Sequence, residues 1–264
     1  MLQATAFYGK LDVVCVVMAR MMAFLIILPV MSGTSISVWG KIALALFTSM
    51  LVVSSGRVTE VFYLNAPLGF VILVIKEFLV GIIMGFMVYV SFAVVYFAGQ
   101  LLDFQIGFSM VSVFDPLTQV QVPIIGNLLF FLMCVLLVQS GGLNIFLGAL
   151  FFSYEVLPPG IAVITGNAAL LGDMLQLMSR FMNLALCTAF PVMSAILVID
   201  AAMGLLVKAV PQMNVFVVGM PIKVMVGIAL LFFVTPVFAD MYSVIFEQGY
   251  TAMLSVTRGM IGYD

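Results

Sequence analysis

This sequence predicts an all-α, hydrophobic, multi-helix membrane-associated protein, and three observations carry the prediction. The 264-residue chain is 65% hydrophobic and only 8% charged, whereas soluble domains carry roughly 25% charged residues. Its apolar runs supply several helices of the ~20 residues needed to cross a ~30 Å hydrocarbon core. Those runs are solidly apolar and do not alternate with period two, which argues against a β-barrel.

The first helix is expected from about Leu11 to Val30, with Arg20 near its middle and Pro29 closing it. Lys10 and Asp12 precede its apolar run and Arg20 interrupts it. A cleavable signal needs a basic start and an unbroken apolar core, so the N-terminus is expected to be retained. Ser32 to Lys41 reads as a polar turn in which Trp39 and Lys41 suit an interface. A shorter helix follows over Ile42 to Val53, and SSGRVTE is a loop. From Leu68 to about Leu102 the pattern stays helical for ~50 Å, so this helix either tilts or leaves the membrane. Within it Gly81 and Gly85 form a G-x-x-x-G that lets a neighbouring helix come close, or that arises by chance in a glycine-rich chain.

A polar island, GQLLDFQIGFSMVSVFDPLTQVQVP from Gly99 to Pro123, then separates two apolar regions. It holds Asp103, Asp115, Gln100, Gln105, Gln119 and Gln121. Lipid cannot satisfy such groups, so the segment must be buried in protein or line a path. On position, Met110 with Phe104, Phe108 and Phe114 suits a gate. Ile124 to Gln139 and Leu143 to Tyr154, split by Ser140 to Gly142, read as one broken helix or a hairpin turning inside the membrane. LPPG, Leu157 to Gly160, ends that unit. A fifth helix is expected from Leu171 to Val210, with Arg180 in its first half, Pro191 as a kink and Asp200 beyond it. The loop expected from Lys208 to Lys223 leads to a last long helix, Val224 to about Phe246, and a weakly amphipathic tail. Lys208 and Lys223 place that loop in the cytoplasm by the positive-inside rule, and Glu155 and Asp173 place the preceding one outside.

Arg20, Lys76, Glu77, Asp103, Arg180 and Asp200 all fall where lipid would be, so each should face protein or water and find a partner. They serve either function or structural ion pairs between helices or subunits. Lys76 and Glu77 are adjacent and point to different sides of a helix, so they are not each other's partner. Cys15, Cys134 and Cys187 lie singly in apolar runs and read as small buried hydrophobes. With no histidine and net charge −2, the chain shows no triad, metal site, nucleotide loop or nucleic-acid patch. No enzyme activity, cofactor or metal is expected.

Several stretches resemble the FliR family, the R subunit of the bacterial flagellar export gate, and its injectisome counterpart, the T-type gate subunit. They are Ala19–Arg20 with Pro29, K-E-x-L-x-x-G from Lys76 to Gly81, GQLLDFQIGFSMVSVFDP followed by QVPIIG, and PQMNVFVVGMPIK from Pro211 to Lys223. The likeness runs in order along essentially the whole chain, and the last stretch reads as flagellar. One departure is that Gly142, Leu143 and Asn144 stand where relatives often carry Gly-His.

The resemblance implies a fold like a P subunit fused to a Q subunit, with residues 1–165 P-like and 166–264 a Q-like hairpin with a C-terminal tail. It implies a hetero-oligomer with P and Q subunits, a B subunit at the cytoplasmic face, and A-subunit, ring and rod components nearby. Unfolded flagellar substrates would pass through it. The place would be the bacterial inner membrane at the flagellar basal body, with much of the assembled gate on the periplasmic side. Gly107, Phe108, Ser109, Met110, Val111, Ser112, Val113, Phe114, Asp115 and Pro116 belong to a loop, 107–122, that plugs the closed channel. Pro211, Gln212, Asn214, Phe216, Gly219, Pro221 and Lys223 form the cytoplasmic tip that meets the B subunit. Two other readings stand beside this one: a secondary transporter, although no internal repeat is visible, and a purely structural scaffold subunit.

Overall fold

The computed structural model describes residues 2–32, 37–58, 61, 67–110, 123–164, 168–212 and 214–261. Among these all regular structure is helical: α1 (Leu2–Ile27), α2 (Pro29–Ser32), α3 (Val38–Ser54), α4 (Pro67–Ile106), a 3-10 turn (Phe108–Met110), α5 (Ile124–Gln139), α6 (Gly142–Val156), α7 (Ala168–Ala209) and α8 (Val215–Gly259). Three of them, α4, α7 and α8, are long and apolar enough to cross a membrane, and the α5–α6 pair, bent by 72°, makes a fourth candidate. At 1.5 Å per residue, α7 and α8 each exceed ~60 Å, about twice a hydrocarbon core. The chain divides into two compact units, one of Met1–Ser91, Ser140–Met178 and Glu247–Asp264, the other of Phe92–Gln139 and Ser179–Phe246.

In the first unit α1 packs against α3 and α4. Gly81 lies so close to α1 that an added Cβ would overlap the Arg20 carbonyl oxygen and come within 2.8 Å of the Ala23 Cβ, and one at Gly85 would lie 3.1 Å from the Ile27 Cβ. Removing two side chains lets the backbones approach, and Val16, Val17, Met21, Phe24, Val80 and Met84 fill the seam without exposure. α1 stops at Ile27 because Pro29 cannot donate a backbone hydrogen bond. α3 begins where the Ser37 hydroxyl accepts from the Gly40 N–H at 3.2 Å, an N-cap, and ends in Gly56 at φ +74°, which only glycine adopts without strain. α6 starts after Gly141, also left-handed at φ +70°. The break expected at Ser140 to Gly142 therefore falls in that place.

Several expectations need correcting. Cys15 and Cys187 are exposed and Cys134 is half-buried, so they are not the buried hydrophobes expected, and α1 begins at Leu2 and not near Leu11. The final helix does not end near Phe246. It continues to Gly259, since Ala252, Met253, Val256 and Thr257 form one buried face in the first unit. Beyond it the Met260 carbonyl accepts from the Val163 N–H at 2.9 Å. The long loop expected from Lys208 to Lys223 shrinks to residues 210–214, because α8 begins at Val215 and runs through Pro221. Asn214 caps this start through its carbonyl and its side-chain oxygen, which both accept from the Val217 N–H. α7 likewise runs through Pro191 as one helix.

In the second unit Phe130 stands edge-on to Phe92 and Tyr96, with ring centroids 6.0 and 6.3 Å away. A shallow apolar groove lies beside α5, lined by Val95, Leu129, Met133, Leu136, Phe238 and Tyr242. The apolar faces of α7 and α8 stay largely uncovered, with 17% and 11% of their most apolar windows buried against 61% for α4.

Candidate functional site

The polar island is entered through the last turn of α4, in the second unit. Asp103 is 3% exposed. Its carboxylate oxygens accept from the Ile125 N–H at 3.0 Å and the Gly126 N–H at 3.1 Å, and its carbonyl accepts from the Gly107 N–H at 3.2 Å. The first backbone donors of a helix have no partner within it, and its N-terminus carries partial positive charge, so a buried carboxylate is accommodated at the start of α5. Close approach of α4 to α5 rests on glycine, for a Cβ at Gly99 would overlap the Gly126 Cα.

Two residues further on, Gln105 donates to Asp200 at 3.3 Å, and Asp200 pairs with Lys223. This joins α4, α7 and α8 through one polar cluster, in which the Asp200 and Lys223 side chains are about one-third exposed. Ile106, fully buried, sits where a Cβ on Gly227 would come within 2.7 Å. Gly107 then turns the chain at φ +101°, and Phe108, Ser109 and Met110 form the 3-10 turn. Phe104 is 74% exposed. The expected plug residues Val111, Ser112, Val113, Phe114, Asp115 and Pro116 lie outside the described residues, as does the rest of the loop to 122.

The first unit holds a second polar cluster. Arg20 and Glu77 are both fully buried and paired at 2.6 Å, with the Arg20 Nε donating to Glu77 Oε2 at 2.7 Å. The rest of the guanidinium donates to Ser153 Oγ at 3.1 Å and to the Leu157 carbonyl at 3.0 Å, and it lies 4.3 Å from the centre of the Tyr154 ring. Glu77 Oε1 accepts from the Gly160 N–H at 3.0 Å, and Lys76 donates to the Gly160 carbonyl at 3.0 Å. The adjacent Lys76 and Glu77 thus hold the carbonyl and the N–H of one residue, Gly160, in the LPPG turn. Ser153, Tyr154 and Gly160 were not singled out from sequence. An intramembrane Arg announces that partners exist but not where they lie.

The remaining expected positions are dispersed. Arg180 is exposed on α7. At the α7–α8 connection Pro211, Gln212, Asn214 and Pro221 are exposed and Gly219 is buried, while the side chain of Phe216 is outside the described ones. Among the described residues no group of His, Cys, Asp or Glu could hold a metal ion.

Comparison with known proteins gives this arrangement its family. The chain is 27% identical over 216 residues to the flagellar biosynthetic protein FliR of Bacillus subtilis, covering 81% of this chain and 83% of the relative. It is 26% identical over 242 residues to FliR of Escherichia coli, covering 90% and 89%. To the secretion system apparatus protein SsaT of Salmonella typhimurium it is 31% identical over 151 residues, covering 57% and 58%. Such proteins are components of an export apparatus and not enzymes. The model of the bacterial export proteins, family 1, matches residues 11–249, and with its long apolar helices this chain belongs to that family, as a helical membrane protein of the FliR type.

Proposed function

We propose that this chain is a subunit of the flagellar type III protein export gate, forming with P and Q subunits the channel for unfolded flagellar substrates. The observation that carries this reading is the tethered polar island: Asp103 of α4 binds the start of α5, and Gly107 turns the chain between them. A segment so held between two apolar helices is suited to lie across a path. In the closed state Phe108, Met110, Val113 and Phe114 supply the apolar seal, because a dry constriction excludes ions until an arriving substrate displaces it. Gly107 gives the segment its turn, and Asp115 with Pro116 ends the seal.

Residues 1–165 form the P-like half and 166–264 the Q-like hairpin, a division favoured by the two long apolar helices α7 and α8 joined by five residues. The tip from Pro211 to Lys223 faces the cytoplasm and meets the B subunit. Asp200 and Lys223 keep the hairpin in register next to that tip. The uncovered apolar faces of α7 and α8 are the surfaces that neighbouring P and Q subunits and lipid would cover. The assembled gate sits in the bacterial inner membrane at the flagellar basal body, largely on its periplasmic side, near the A subunit and the ring and rod components.

Deleting Gly107 to Pro116 tests this. Cells carrying the complete export apparatus with the shortened chain should release potassium faster than cells with the intact chain, while the amount of chain recovered with P and Q subunits is unchanged. Unchanged potassium release at normal assembly would refute the seal. Lost assembly without leak would favour a scaffold.

A further inference from the structure

We infer that α3 crosses the hydrocarbon layer with lipid acyl chains against its outer face, although it is shorter than the helices counted above as candidate spans. The inference goes beyond the gate reading and rests on how α3 sorts its side chains. Within the first unit α3 packs on α1, and its buried residues are Ala45, Thr48, Ser49 and Val52. The opposite face exposes Trp39, Leu46, Phe47, Met50 and Leu51, with Trp39 80% and Phe47 62% exposed. The helix is thus turned inside out, with two hydroxyls toward protein and its bulkiest apolar groups away from it. A helix bordered by water has the reverse arrangement.

The two hydroxyls make no demand on a partner. Thr48 donates to the Leu44 and Ala45 carbonyls at 2.8 and 3.1 Å, and Ser49 donates to the Leu46 carbonyl at 2.7 Å. Helices that pack on one another in a membrane meet through small residues, which let the backbones approach. α3 turns Ala45 and Ser49 inward, and from Leu46 to Leu51 every exposed side chain is large. Its outer face therefore suits fluid acyl chains and not a second close-packed helix. The ends agree with this. Trp39 and Lys41 stand near the start of α3, and the part-exposed Arg57–Glu155 pair, at 3.2 Å, stands just beyond its end. An aromatic ring and long cations mark the two edges of a lipid-facing helix. At 1.5 Å per residue the 17 residues from Val38 to Ser54 rise ~25 Å, slightly less than a ~30 Å core. Local thinning of the bilayer and the outward reach of Lys41 and Arg57 close that gap.

Trp39 is the only tryptophan in the chain, so its fluorescence reports this face directly. The full chain in complex with P and Q subunits is reconstituted in phosphatidylcholine vesicles brominated either near the headgroups or near the bilayer centre, and the signal of a Trp39→Phe complex is subtracted. Native Trp39 should lose most emission to the shallow bromines and little to dissolved iodide. A chain with Trp39→Phe and Phe47→Trp should lose most to the deep ones. Iodide quenching would put the face in water, and protection from iodide and bromine alike would put another protein there; either result overturns the inference. The same depth at both positions would overturn the crossing. If the Phe47→Trp chain fails to assemble, native Trp39 still decides between lipid, water and protein. Recovery of P and Q subunits with the chain judges the gate reading separately; if they are absent, that reading fails, and the same quenching on the chain alone still judges α3.

Discussion

Replacing Glu77 by alanine should be among the most damaging single changes in the first unit, and adding a second change should repair part of the damage. Glu77 is fully buried, and one of its oxygens meets Arg20 while the other meets the Gly160 N–H. Its loss leaves a buried guanidinium with Ser153, the Leu157 carbonyl and the Tyr154 ring but no anion, which costs about 3–5 kcal/mol. The Gly160 N–H loses its acceptor as well, about another 1–3 kcal/mol. Removing both charges in Arg20→Met with Glu77→Leu eliminates the first cost, because apolar replacement of a buried pair is often neutral. What remains is the unpaired Leu157 carbonyl and Gly160 N–H, about 1–3 kcal/mol each. The double variant should therefore be roughly 2 kcal/mol more stable than Glu77→Ala, whereas independent effects would make it far worse. Thermal unfolding in mild detergent, or the amount of folded chain recovered if the single variant does not survive extraction, ranks them. A double variant that falls below Glu77→Ala would refute the argument that the uncompensated charge dominates.

Two glycine substitutions in the first unit should act with opposite sign. Gly81→Ala drives a methyl group into the Arg20 carbonyl and toward the Ala23 Cβ, costing about 1–3 kcal/mol; Gly148→Ala, in α6 with nothing within 4 Å of the new group, should stabilise by roughly 0.5–1 kcal/mol. The same thermal unfolding measures both, and equal shifts would argue against close α1–α4 packing. Gly249→Ala should also lower the melting temperature, since its methyl group would overlap the Ser91 hydroxyl. Adding Ser91→Ala should recover part of the loss, and no recovery would mean that the end of α8 does not dock on Ser91.

What could be read from sequence divides along a physical line. Features set by a few adjacent residues were legible: the length of α4, the break at Ser140 to Gly142 where a left-handed glycine starts α6, and the need of Arg20 for a partner. Features set by residues far apart were not. Arg20 finds Glu77 at a separation of 57 residues and Ser153 at 133, and no local pattern selects those over Asp103 or Asp200. The two corrections to α8 come from the same source. Pro211, Asn214, Gly219 and Pro221 are loop formers by local preference, yet only residues 210–214 connect α7 to α8, because a capped, strongly apolar helix outweighs one missing backbone bond at Pro221. The stretch after Phe246 looks weak as a helix by itself, and burial of Met253 and Val256 supplies what propensity lacks.

The same division explains why five ionisable groups, Arg20, Glu77, Asp103, Asp200 and Lys223, end in three different states. Arg20 and Glu77 neutralise each other away from water, and Asp200 and Lys223 do so at partial exposure. The latter pair should add about 0–1 kcal/mol and mainly fix the register of the hairpin. Asp103 takes neither course, since it spends its charge on backbone donors at the start of α5. A pair of opposite side chains can be exchanged for apolar residues with modest loss. A carboxylate that binds backbone has no such substitute, because the N–H groups of Ile125 and Gly126 cannot be mutated away. On physical grounds Asp103, whose carboxylate meets backbone donors alone, is therefore the least replaceable of the five.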